Sequence, residues 1–414
     1  VLVPFFFRVK LPYRTHGKAE GKFHAVKRAF EDNFQSGLER EGAAFAVYHH
    51  GKLVVDLWGG YADASSARHW REDSLTVAFS STKAVAAMCI AVLVDRGHLH
   101  YEDLVTKYWP EFGQLGKANA TIRMVMDHSV GLAGLDSPIT IEDMKSPERM
   151  SKLLEEQRPN WPVGTAVGYH ACTFGWLVDQ IVRRADPKKR GIGAFLREEV
   201  TGPHGIDFYL GLPSKLEHRV TRLNMADFGQ IVRELLHNPG LLLTMPSRVL
   251  LFHMGFLDYT ETGLLLKKIF NNPSWIIHGD RLRMNSPEYH QLEQAAALGI
   301  GTARSMAGMF ALFAKGQLTK KDYVERLLHI RPEDYPMDSI LGLPVKRAFG
   351  FQFDRHPQDP EEFTFGHPGF GGQNLKVDLK NELVFAYLTN GLHFGMGDHT
   401  GTFRNLQNAL YDSL

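Results

Sequence analysis

The chain has 414 residues, 44% hydrophobic and 22% charged, with 47 basic residues against 46 acidic ones and a net charge of +1. This is the make-up of a soluble globular protein with a sizeable core. The charge balance argues against a nucleic-acid partner or an anionic membrane surface, since the basic runs (Lys188-Lys189-Arg190 and Lys320-Lys321) are short.

The first residues, VLVPFFFRVK, are apolar but too short to span a bilayer. The chain opens without Met, so the expectation is that something upstream has been removed, with residues 1–20 read as an N-terminal extension. That stretch fits the end of a signal or anchor segment, or an edge strand covering the fold. Asn119-Ala120-Thr121 is a glycosylation sequon, which matters only in the secretory pathway. A membrane role is expected only through such a missing anchor, and location is left open between secretory, membrane-tethered and cytoplasmic.

Residues 24–41 have helical periodicity, with Phe23, Val26, Ala29, Phe30 and Phe34 on one face. Ala44–Tyr48 and Leu53–Trp58 are β-rich runs joined by a His-Gly-Lys turn, which predicts a hairpin. From Ser80 to about residue 290 the pattern is mostly helical, with helices expected at 82–96, 121–129, 170–184 and 225–237. The end returns to strands in RAFGFQFDR, FTFGHPGFGG and NLKVDLKNELVFAYLTNG, with Asp378–Glu382 as a hairpin turn and RNLQNALYDSL as a closing helix. Strands at both ends around a helical middle predict an α+β fold. The antiparallel sheet is built from both ends and flanked by helices: residues 21–75 and 295–414 form the sheet-containing half, and 76–294 an inserted, mainly helical half of one domain.

The two cysteines, Cys89 and Cys172, sit among apolar and aromatic residues and read as buried free thiols without a disulfide framework. Twenty histidines occur, yet no HExxH or comparable spacing, so no metal or other cofactor is expected.

The stretch FSSTK opens the helix expected at 82–96. At the first helical turn Ser80 would sit at the positive end of the helix dipole, with its N–H available to an oxyanion. Lys83, three residues on, shares its face and would be a base for the serine proton if desolvation lowers its pKa. Ser is equally a favoured N-cap, and this Ser-x-x-Lys alone does not decide between the two. Tyr169 follows a Pro-x-Gly-Thr loop and precedes an amphipathic helix; beside a lysine ammonium its pKa would drop, making it a general base. His367 lies on a C-terminal strand before the Gly-rich turn of FGHPGFGG, where the N–H of Phe370 would be a second oxyanion donor. Taken singly, a tethered core tyrosine, a strand histidine and a hairpin glycine explain these equally well.

The ordered set SSTK, PVGTAVGYHA and FGHPGFGG resembles the serine β-lactamase and penicillin-binding protein superfamily, nearest its class C-like branch of family VIII esterases and eukaryotic β-lactamase domain-containing proteins. MVMDHSVGLAGL, GIGTARSMAGMFALFAKG and FAYLTNG are similar too, and the resemblance runs from about residue 20 to the end. It implies a β-lactamase-like fold. Ser80 is implied as the acylated nucleophile, Lys83 as its partner, and Tyr169 as sharing general-base duty. His367-Pro368-Gly369 falls in place of the strand Lys-Thr-Gly, with Gly369 and Phe370 at the substrate and the N–H groups of Ser80 and Phe370 as the oxyanion hole.

Tyr169-His170-Ala171 lacks the Asn or Ser of penicillin-directed members, His367 replaces the lysine that holds a substrate carboxylate, and Pro368 replaces a small hydroxyl residue. No counterpart of the class A deacylating glutamate is evident. These departures point to an acyl-enzyme serine hydrolase of small esters or amides, with esters favoured. The alternatives are a β-lactamase or D-amino-acid peptidase, and an inactive scaffold with the same fold. Apolar LLTMPSRVLLFHMGFLDYT (242–260) reads as pocket wall, core or oligomer contact, which leaves a homo-oligomer open.

Overall fold

Both chain ends feed one antiparallel sheet in the computed structural model, which describes residues 12–241, 261–273, 282–330 and 335–414. The first part of the chain supplies strands β1 (Thr15–Ala19), β2 (Gly42–His49), β3 (Lys52–Asp63) and β4 (Arg68–His69). Strands β5 (Thr76–Val77), β6 (Phe208–Leu210) and β7 (Gly299–Gly301) form a separate small sheet in the order β5-β7-β6. The last part supplies β8 (Lys346–Ala348), β9 (Phe351–Arg355), β10 (Phe363–Pro368), β11 (Asn374–Asp378) and β12 (Leu383–Thr389). The large sheet runs β1-β3-β2-β12-β11-β10-β9-β8, with β4 paired to β3. The expected union of the two ends is thus made by β2 and β12, in the register Val47↔Phe385 and Phe45↔Tyr387.

The side-chain period of two explains why these strands lie in the middle of the sheet. On β2, Ala43, Phe45 and Val47 face one core while Ala44 and Ala46 face the other. On β12, Leu383, Phe385 and Tyr387 alternate in the same way with Val384, Ala386 and Leu388. Both faces are therefore covered. Helix α1 (His24–Gln35) and the closing helix Gly401–Tyr411 pack on one side, through Phe30, Phe34, Phe403 and Leu410. Helix Ala303–Ala314 packs on the other side, through Met306, Met309 and Phe310.

Helix boundaries differ from the periodic expectation because caps decide them. Helix α1 ends at Gln35, short of residue 41, where Gly37 takes the left-handed conformation (φ 73°) before β2. The helix expected at 121–129 is only Ile122–Met126, capped by the Thr121 side chain and left behind where His128 adopts φ 62°. The Tyr169 stretch stays extended, and its helix starts at Thr173. An Asp227–Gln230 capping box starts the next helix at Phe228. The closing helix begins earlier than expected, at Gly401. Apolar residues 242–260 and the N-terminal residues 1–11 lie outside the described residues.

Helix α2 (Thr82–Asp95) is buried on every side from Thr82 to Leu93, as its lack of a polar face requires. Ala84, Ala86, Ala87 and Ala91 let it sit tightly against helix Thr173–Ala185 and strands β9 and β10. Its N-terminus therefore emerges beside the end of β10. Cys89 on this helix and Cys172 are both buried, and neither is in a disulfide. No helix among the described residues is long and apolar enough to cross a membrane.

Candidate active site

The residues Phe79–Ser81 form a 3₁₀ turn that runs directly into α2, so Ser80 stands one turn ahead of the α-helix proper. The turn is clamped on both sides. Strand β5 pairs with β7 just before it, Ala78 N–H donates to Gly299 O at 2.8 Å, and Thr82 Oγ1 accepts from Gly299 N–H at 3.0 Å. Phe79 is held at φ 45°, a strained setting for an aromatic residue that the surrounding contacts impose. Ser80 is half-buried, whereas Ser81 is fully buried. Of the two, only Ser80 is partly open to solvent.

Lys83 is wholly buried, yet its Nζ has three oxygen partners: Ala171 O at 2.8 Å, Ala296 O at 3.0 Å and Ser80 Oγ at 3.4 Å. It lies 4.7 Å from the Tyr169 ring centroid and 5.9 Å from that of Phe174. Burial pushes its pKa down to about 7, with Arg347 adding to the effect against Cys172. A neutral amine has two N–H donors and one lone pair. With the two carbonyls taking the donors, the lone pair is left for the Ser80 hydroxyl. Gln294 fixes one of those carbonyls: its Oε1 accepts from Ala296 N–H (2.7 Å) and Ala297 N–H (3.0 Å), while its Nε2 donates to Cys172 O (2.6 Å).

Tyr169 is brought to the same point, its phenol hydrogen-bonded with Ser80. Its pKa departs from the sequence expectation. Burial pushes it up, and the hydrogen bond to Ser80 and the Arg347 cation only partly oppose that. The lysine cannot lower it as expected, because desolvation favours the uncharged form of Lys83 too. Above about pH 7 the resting pair is a neutral amine and a neutral phenol.

Three neutral imidazoles surround Tyr169. His128 and His367 lie with ring centroids 5.3 and 6.0 Å from the phenol ring. His170 N–H donates to His128 Nδ1 at 3.0 Å; His170 Nε2 in turn accepts from Leu132 N–H at 2.9 Å. Burial lowers His170 to about 4 and His128 well below its ordinary value. His367, on β10, donates from Nδ1 to Pro368 O at 2.7 Å and is lowered to about 3, by burial first and by Lys83 second. It carries no charge for a substrate anion at neutral pH.

The end of β10 touches the nucleophile turn. A Cβ on Gly369 would lie 2.7 Å from Ala78 O and 3.1 Å from Ser81 Oγ, so only glycine lets the two backbones approach this closely. Phe370 follows, its ring centroid 5.6 Å from that of Phe79. All six residues singled out from the sequence (Ser80, Lys83, Tyr169, His367, Gly369 and Phe370) therefore gather at one place. Three others escaped that reading: Gln294, Asp338 and Arg347. Asp338 and Gln294 stand in none of the three motifs, and Arg347 sits in a stretch legible only as strand. His128 lies within MVMDHSVGLAGL, where a signal was present.

Comparison with known proteins identifies the family and the fold. Residues 30–409 match the family described as Beta-lactamase. The esterase/beta-lactamase LipL of Mycobacterium tuberculosis is 32% identical over 397 residues, covering 94% of this chain and 86% of that protein. A family VIII carboxylesterase structure is similar with a TM-score of 0.81 and 27% identity, over 97% of this chain and all (100%) of that one. A penicillin-binding protein homologue from Caulobacter crescentus gives a TM-score of 0.78 at 29% identity, over 97% and 100% of the two chains.

Proposed function

The chain belongs to the beta-lactamase family, and within it we propose an ester-directed serine hydrolase that works through an acyl-enzyme on Ser80. The observation that carries the proposal is the contact of a buried lysine, lowered to about 7, with the accessible Ser80 hydroxyl at 3.4 Å.

In the proposed reaction Ser80 Oγ attacks the ester carbonyl carbon as its proton passes to the Lys83 lone pair. The N–H groups of Ser80 and Phe370 take the developing oxyanion. Collapse breaks the bond to the leaving alkoxide, which is protonated by the Tyr169 phenol; the phenol is reloaded from the Lys83 ammonium. Water then attacks the acyl carbon, its proton travels to Lys83 through the same phenol, and Ser80 is released with its proton restored. The proton count closes over the cycle with no group beyond these residues.

The preference for esters rests on the two positions where a substrate carboxylate would be met in the lactam-directed pattern: His367 is neutral, and Ala171 has no polar side chain. The second reading, a lactam hydrolase, is favoured by the double description of the M. tuberculosis relative as esterase and beta-lactamase. A fluorophosphonate probe should label the wild type and Ser81→Ala but not Ser80→Ala. Turnover of p-nitrophenyl butyrate beside nitrocefin separates the two substrate classes. Labelling that survives in Ser80→Ala sinks the nucleophile assignment, nitrocefin turnover well above the ester rate overturns the preference, and neither labelling nor turnover favours a scaffold that kept only the fold.

A further inference from the structure

We infer that the buried Asp338–Arg347 pair is the positioning device of the site, seating Tyr169 by its backbone and placing a fixed positive charge against the Lys83–Tyr169 pair. The inference rests on the acyl-enzyme reading above.

The geometry has two parts. Asp338 Oδ1 accepts from the Tyr169 N–H at 3.1 Å, and from Ile340 and Leu341 N–H at 2.9 Å each. The neighbouring Ser339 adds a clip, with both its N–H (2.8 Å) and its Oγ (3.0 Å) donating to Val167 O. Asp338 thereby fastens the extended Tyr169 stretch to the segment leading into β8. Its other oxygen, Oδ2, accepts from Arg347 Nη1 at 2.7 Å, and the two side chains are 0% and 1% exposed. From β8 the guanidinium lies over the phenol, with Cζ 5.1 Å from the ring centroid. Its Nε and Nη2 have no hydrogen-bond partner among the described residues. Removing two charges and several donors from water is expensive, and a buried pair of this kind gives little net stability against an apolar replacement. Its position beside the reacting groups is explained if the charge acts on them.

Arg347 does not reach substrate, because its side chain is enclosed. It acts through Lys83 and Tyr169. Among the described residues the groups facing those two are Ser80, Cys172, the neutral imidazoles of His128, His170 and His367, Asp338, and Arg347 as a fixed cation. A cation there disfavours the Lys83 ammonium and so keeps the amine in its basic, proton-accepting form.

The test is the pH profile of kcat/KM for p-nitrophenyl butyrate, with the rate of fluorophosphonate labelling followed in parallel. Arg347→Gln keeps a donor for Asp338 but loses the charge; it should move the acid limb up by about 0.5–1 pH unit. Arg347→Lys keeps the charge and should leave the limb within about 0.2 unit of wild type while lowering kcat. Circular dichroism checks the fold of each, and Arg347→Met replaces Arg347→Gln if that variant does not fold. A limb that stays in place in a folded, charge-free variant overturns the inference. So does an equal displacement in Arg347→Lys and Arg347→Gln. Wild type that is neither labelled nor active overturns the acyl-enzyme reading and this role with it; wild type that is both, with an unmoved limb in the variants, overturns the role alone.

Discussion

Lys83 Nζ meets Ser80 Oγ at 3.4 Å inside a site where the lysine is completely enclosed. The i, i+3 spacing puts the two on one helical face, but enclosure is what makes the amine a base. With Lys83 lowered to about 7, kcat/KM for a simple ester should fall about tenfold per unit below pH 7. Because burial raises Tyr169, no alkaline limb from its phenol should follow below about pH 10. Lys83→Arg, which cannot yield a neutral base, should lose about 10³-fold or more in kcat. A pH–rate series on wild type and this variant measures both effects. An acid limb near pH 4 to 5 would assign the base elsewhere.

The contact between Gly369 and the nucleophile turn makes Gly369→Ala a test of the oxyanion site. The added Cβ would fall 2.7 Å from Ala78 O and from Gln373 Cβ, so the end of β10 must draw back from Ser80. The expected result is a loss of about 10²-fold in kcat, the scale of one displaced oxyanion donor. Steady-state kinetics with a thermal melt to confirm the fold would show it. Unchanged kcat in the folded variant would count against Phe370 as a donor.

The enclosed lysine should cost stability. Its pKa in the folded state is depressed to about 7 from 10.5, so the native state is neutral between these values while the unfolded chain is charged. The stability linked to Lys83 is present above about pH 10.5 and is progressively lost as pH falls toward 7. Lys83→Met should therefore melt higher than wild type, by about 2–4 °C at pH 6.5 to 7, with the gap narrowing as pH rises toward 10. Thermal melts across that range give the answer, and a gap independent of pH would refute the linkage.

His393 titrates in the opposite sense. Its burial favours the neutral ring, but Glu234 (Nδ1 to Oε1, 3.0 Å) and Glu39 (Nε2 to Oε2, 3.9 Å) outweigh that and lift its pKa to about 9. The pair with Glu234 ties helix Phe228–His237 to the loop after β12. A group raised in the folded state contributes fully below its unfolded value of 6.5 and loses that contribution as pH rises through about 9. His393→Gln should melt about 4 °C or more below wild type at pH 6, and the deficit should shrink by pH 9. Calorimetry at the two pH values tests it, and a deficit that grows with pH would contradict the assignment.

Much of this site was legible along the chain because its parts are local. Ser80 and Lys83 are three residues apart, and a helical period puts them together whatever surrounds them. The β-rich runs at the two ends of the chain likewise pointed to one sheet built from both. Helix ends were less legible, since single caps such as Thr121 and Asp227 outweigh periodicity there. The residues behind the site were not legible at all. Arg347 reads as an ordinary strand residue, and Asp338 and Gln294 occur in no motif. Each reaches the site through a residue more than a hundred positions away: Gln294 through Cys172, Asp338 and Arg347 through Tyr169.

The sequence by itself therefore determined that Ser80 and Lys83 meet on one helix, since spacing along an element is a local property of the backbone. Tyr169 and His367 were joined to them only through the family resemblance. Tertiary structure decided which serine is presented, with Ser80 partly exposed and Ser81 fully buried. It also decided the protonation of the pair. The local expectation was a lysine ammonium lowering a phenol, and the folded site has an amine lowered to about 7 beside a raised phenol. Ionisation depends on the loss of water and on charges brought from distant strands, and neither exists until the chain has closed around them.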